Sequence, residues 1–92
     1  MSVKKYNDIF EYFVDSYFNW SMDYTDLSDL ADQYLNGEID LWVTPMRTRV
    51  RELYYLNSPQ HIKDLVFLYG RRALTLEEAQ DMIELLYRKF CL

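Results

Sequence analysis

Residues 37–46 read GEIDLWVTPM, and whether they hold a strand decides the fold. Ile39, Leu41 and Val43 alternate with Asp40 and Trp42 as in a half-buried strand, although an extended connector packed on a core has the same pattern. A lone strand leaves its ladder groups unpaired and needs a second strand beside it. The rest of the chain reads as helices, so the fold class is all-α, with at most one short extended segment near residues 38–43. Such a segment could pair edge to edge across the twofold axis of a homodimer.

Working backward from Gly37, the residues Leu27, Leu30, Ala31, Tyr34 and Leu35 form an i, i+3, i+4, i+7, i+8 stripe, with Thr25 or Asp23 as its cap. Before it, Tyr6, Ile9, Phe10, Phe13, Val14, Tyr17 and Trp20 recur at helical spacing from Val3 to about Trp20, with Asp8, Glu11 and Asp15 opposite. Forward of the quoted stretch, Thr44-Pro45 and Ser58-Pro59 both look like an N-cap followed by proline at the first helical position. They would open a helix carrying Met46, Val50, Leu53 and Tyr54 to about Asn57, and another carrying Ile62, Leu65, Val66 and Tyr69 to Gly70. Thr75-Leu76-Glu77-Glu78 is a capping box for a last helix with Ala79, Met82, Ile83, Leu86 and Phe90 inward. The expectation is one compact bundle of about five helices spanning residues 1–92.

Composition agrees with one folded domain: half of the 92 residues are hydrophobic, with nine Tyr, five Phe and two Trp. A single cysteine, Cys91, allows no internal disulfide, which fits a reducing cytoplasm. No apolar run approaches the ~20 residues of a membrane span, and the start MSVKKYNDIFEYF carries Asn7, Asp8 and Glu11 where a signal peptide is apolar. A cytoplasmic protein without membrane contact is expected. One His, one Cys and no glycine-rich phosphate loop leave triads, zinc sites and nucleotide cradles without parts, so neither enzyme activity nor a cofactor is expected. His61 falls in a helix start, and residues 22–40 lack the central glycine of a calcium loop.

Charge is the unusual feature. Residues 1–40 hold nine acids against Lys4 and Lys5, a net −7, whereas residues 41–92 hold six acids against eight Lys and Arg, a net +2. Every amphipathic helix has a charged outer face, but ordinary surfaces mix the two signs. Between Lys5 and Arg47 there is no cation at all. On a helical wheel Asp26, Asp29 and Asp32 stand opposite their apolar stripe, and Asp32 lies towards the helix C-terminus, where the dipole opposes it. Together Asp8, Glu11, Asp15, Asp23, Asp26, Asp29, Asp32, Glu38 and Asp40 form a candidate partner-binding surface of one sign. Carboxylates ~4.5 Å apart along a helix could enter a cleft built for phosphates, with fast, salt-weakened association.

The stretch YNDIFEYFVDSYFNWSMDYTDLSDLADQYLN resembles the start of the phage overcome-classical-restriction family, helical DNA mimics that occupy the DNA groove of restriction enzymes. Tyr6-Asn7-Asp8-Ile9-Phe10-Glu11 is the closest match, and the resemblance covers about the first third of the chain. Size and acidity are also similar to the small Arn-like antirestriction proteins of T-even phages. The resemblance implies that Asp8, Glu11, Asp15, Asp26, Asp29 and Asp32 imitate phosphates. It implies a basic DNA-binding host protein as partner, such as a restriction, anti-phage defence or nucleoid factor, and no direct binding of nucleic acid. The basic second half and the lack of an acidic tail depart from that pattern.

Two other functions compete. Arg47, Arg49, Arg51, Arg71 and Arg72 could serve a small helical DNA-binding regulator, although the last helix shows Glu77, Glu78, Asp81 and Glu84 where a reading helix needs Arg, Asn or Gln. The arginines could instead answer acids within the fold or at a dimer contact. The third function is an acidic protein-interaction adaptor. The sixteen aromatics either thicken a thin core or supply a self-association surface, with Tyr12 and Tyr24 beside the acidic faces and one of Tyr54 or Tyr55 exposed.

Overall fold

A computed structural model describes residues 8–92, and among them there are five helices and no strand: α1 (Ile9–Ser16), α2 (Leu27–Gly37), α3 (Asp40–Leu56), α4 (Pro59–Gly70) and α5 (Leu76–Cys91), with a 3₁₀ turn over Tyr24–Asp26. The all-α expectation therefore holds. Helix α5 is the centre of the bundle, packing on α2, α3 and α4, while α1 lies on α3 and α4. Its buried face is the predicted one: Ala79, Met82, Ile83, Leu86 and Phe90. The capping box at its start is present in full, Thr75 Oγ1 accepting from the Glu78 amide and Glu78 from the Thr75 amide. Ser58 caps α4 with Pro59 at the first position, as expected.

The stretch GEIDLWVTPM is corrected. Only Glu38 and Ile39 are extended; α3 begins at Asp40, so Pro45 lies inside a helix instead of opening one and Thr44 is no cap. Pro45 cannot donate to the Leu41 carbonyl, so the turns before it depend on tertiary contacts. Val43 is buried there, the Trp42 ring lies 5.1 Å from that of Tyr12, and the buried Tyr34 hydroxyl donates to the Trp42 carbonyl at 2.9 Å. With residues 40–43 helical, the strand edge expected to join two copies is gone.

The first helix is also shorter than its periodicity suggests. Its expected start at Val3, with Tyr6, lies outside the described residues. Its end comes at Ser16 because Asn19 turns its side chain back, Nδ2 donating to the Asp15 carbonyl at 3.0 Å while Oδ1 accepts from the Ser21 amide. The chain then crosses the end of α4, where the Trp20 amide donates to the Gly70 carbonyl at 2.8 Å. Trp20, expected to face inward, is 66% exposed, and Phe18 is buried in its place. The Arg72 guanidinium lies 4.4 Å above the Phe18 ring and donates to the Asn19 carbonyl. Neither Asp23 nor Thr25 caps α2; Asp26 precedes it without a side-chain bond.

Gly70 owes its identity to this crossing. Its φ is not positive, and the left-handed residue that ends α4 is Arg71. A Cβ on Gly70 would stand 2.8 Å from a Val14 methyl and 3.2 Å from the Phe18 carbonyl. Gly70→Ala is therefore expected to destabilise the protein by about 1–3 kcal/mol through overpacking, measured by denaturant unfolding. Tyr34→Phe should cost about 1–2 kcal/mol and speed amide exchange in residues 40–44 before it affects α4.

Candidate partner-binding surface

The nine candidate carboxylates do not form one face. Asp8 caps α1, accepting from the Phe10 and Glu11 amides at 2.8 and 3.2 Å, and its other oxygen lies 3.3 Å from Arg49 Nε. Glu11 is buried, 4% exposed, contrary to the expected outward position. It stands three and seven residues before Val14 and Phe18, hence on their line, and α1 is covered on two sides by α3 and α4. Asp15 is half-buried at the end of α1. Asp32 is held by Lys89, whose Nζ lies 2.9 Å from both carboxylate oxygens. Glu38 accepts from the hydroxyls of Tyr12 and Tyr17 at 3.1 and 2.7 Å.

The run of acids without a cation is thus compensated in space by Arg49 and Lys89, which the fold brings from α3 and α5. Asp23, Asp26, Asp29 and Asp40 remain exposed and form no ion pair among the described residues. Asp40 lies beyond the C-terminal end of α2, away from the other three.

A feature that the sequence does not announce lies where the 3₁₀ turn and α2 meet α5. The Tyr24 hydroxyl donates to the Glu78 carbonyl at 3.0 Å and ties the 3₁₀ turn to the start of α5. A groove of about 440 Å³ runs beside this tie. Tyr24, Thr25, Leu27 and Ser28 make one wall; Asp81, Glu84, Leu85 and Arg88 make the other. The acids of α5, which look like an ordinary solvated face in the sequence, therefore border the same groove as the residues between Asp23 and Asp29. Spacing carried a signal: 81, 84, 85 and 88 form one helical line that contains a leucine. Burial raises the Tyr24 phenol above its ordinary value, with the Asp81 and Glu78 carboxylates adding to the effect.

The basic half is divided as well. Arg49 serves Asp8 and lies 3.6 Å from Glu52, and Arg72 serves Phe18 and Asn19. Arg47, Arg51 and Arg71 are exposed with no ion pair among the described residues. Tyr55 is the exposed member of the Tyr54/Tyr55 pair, and Tyr54 stacks on Tyr87 with centroids 3.9 Å apart. His61 is half-buried in the first turn of α4. Among the described residues no group of His, Cys, Asp and Glu could hold a metal ion, and no helix is long and apolar enough to cross a membrane.

Comparison of the chain with protein-family models, with curated proteins and with solved structures finds no match in any of the three.

The tyrosines around Glu38 predict the alkaline behaviour. Burial raises the Tyr17 phenol well above its ordinary value of 10.0, followed by its hydrogen bond to Glu38 and the charge of that carboxylate. Burial likewise raises Tyr34. An unfolded chain ionises these phenols near pH 10 while the folded one keeps them protonated, so their contribution is complete below pH 10 and is lost as pH rises further. Tyrosinate absorbance should show a late phase coincident with loss of helical circular dichroism, and Glu38→Gln should bring Tyr17 back towards its ordinary value.

Proposed function

We propose that this protein is a non-catalytic acidic binding module that docks a basic surface of a partner protein and competes with nucleic acid for it. One observation carries this: Asp23, Asp26 and Asp29 are exposed and without ion pairs among the described residues, and the segment that holds them supplies one wall of a groove whose other wall bears Asp81 and Glu84 beside Arg88. Carboxylates from separate elements gathered around a low-dielectric groove focus a negative field, and a cationic cleft that follows DNA phosphates is attracted by such a field.

The surface is smaller than the DNA-like row implied by the antirestriction resemblance. Of the six phosphate imitators that it implies, Asp26 and Asp29 are the exposed ones. A basic DNA-binding protein of the restriction, defence or nucleoid kind stays the partner class because the field suits it. A DNA-binding regulator would have Arg47, Arg51 and Arg71 to work with, since Arg49 and Arg72 are engaged inside the fold.

Electrophoretic mobility separates these outcomes. Added alone, the chain should leave duplex DNA unshifted, and added to DNA-bound basic proteins from a bacterial lysate it should release one or more of them, less so as salt rises. Reversing Asp26, Asp29 and Asp81 to Lys should abolish release while helical circular dichroism is kept. Retardation of DNA by the chain itself, or full release by the triple variant, would refute the proposal.

A further inference from the structure

We infer that the groove between the 3₁₀ turn, α2 and α5 receives an amphipathic basic segment of the partner, with an aliphatic side chain on its floor and Arg or Lys heads on its rim. This rests on the acidic-module function proposed above and names the partner's chemistry. The groove, about 440 Å³, is partly open to solvent and has room for side chains of an occupant. Leu85 is half-buried and supplies apolar surface to the floor, and Leu27 lies buried behind it. The Tyr24 hydroxyl is committed to the Glu78 carbonyl, which leaves its ring, with Thr25 and Ser28, to form that wall.

Acids outnumber cations at the rim by two to one. Asp81 and Glu84 face Arg88 as the one cation lining the groove, and Arg88 forms no ion pair among the described residues. Lys89, the next cation on α5, is drawn away to Asp32. An occupant without charge would strip water from Asp81 and Glu84 and offer them nothing. An occupant with charge alone would leave Leu85 and the Tyr24 ring wet. Arg and Lys lay their methylene stems along apolar surface while the heads meet carboxylates, and one leucine-like anchor fills the depth between them. A basic amphipathic helix presents both at i, i+3 and i+4 spacing.

Two synthetic helical peptides of equal length and charge test this against the full chain: one carries Arg with two leucines one turn apart, the other has serine in place of both leucines. Isothermal titration should show the leucine peptide binding about tenfold or more tightly, and its amide shift changes should centre on Tyr24, Ser28 and Leu85. Ser28→Trp, which fills the groove, should reduce binding of the leucine peptide to the level of the serine peptide; Thr25→Trp repeats the block from the exposed 3₁₀ turn. Equal affinity of the two peptides, or blocking variants without effect, would overturn the inference, and the DNA-release experiment would then still stand on the carboxylates alone. Binding of neither peptide would overturn it too. Self-association that fills the groove and is lost in Arg47→Glu/Arg51→Glu would assign the site to a second copy and likewise refute a foreign segment.

Discussion

The burial of Tyr34 is the constraint on which the remainder depends. Its ring meets those of Tyr12, Phe13, Tyr17 and Phe90, so it joins α2 to α1 and α5, and its hydroxyl secures the start of α3 through the Trp42 carbonyl. A phenol removed from water needs a partner, and a helix interrupted by proline needs something to hold the residues before it. One hydrogen bond answers both needs. It also sets the rotation of α2 about its own axis, and with it the direction in which Asp26 and Asp29 point.

Once α2 is placed, the acids divide by use. Asp8 and Asp32 each meet a cation from another element, Glu38 accepts hydrogen bonds from two phenols, and Glu11 is enclosed beside Val14 and Phe18. These groups act within the fold: a cap, two ion pairs and an acceptor for paired phenols. Half-buried ion pairs still open to solvent contribute little to stability, about 0–1 kcal/mol each, but they take charge away from the surface. What is left is concentrated in residues 23–29, the segment that supplies one wall of the groove, with Asp40 apart from it at the start of α3.

That concentration changes the kind of recognition available. A long row of carboxylates offers a partner charge alone, whereas carboxylates on the rim of an apolar cleft offer charge and a place to bury a side chain. Field and floor have separate consequences. The first governs the rate of encounter and its sensitivity to salt, the second the lifetime of the complex.

Helix count, the stripes of α2, α4 and α5, the capping box at Thr75 and the Ser58-Pro59 start were all legible in the sequence, because each depends on neighbours within one or two turns. So was the excess of acid over base in residues 1–40. The α3 start before Pro45, the early end of α1 at Asn19, the identity of Gly70, the enclosure of Glu11 and the pairing of Asp32 with Lys89 were decided by tertiary structure alone. Each depends on a group from a distant part of the chain: Tyr34 for Trp42, Val14 and Phe18 for Gly70, α5 for α2. Periodicity tells which side of a helix is apolar, but a carboxylate is free or engaged according to what another helix brings beside it, and that is a property of packing.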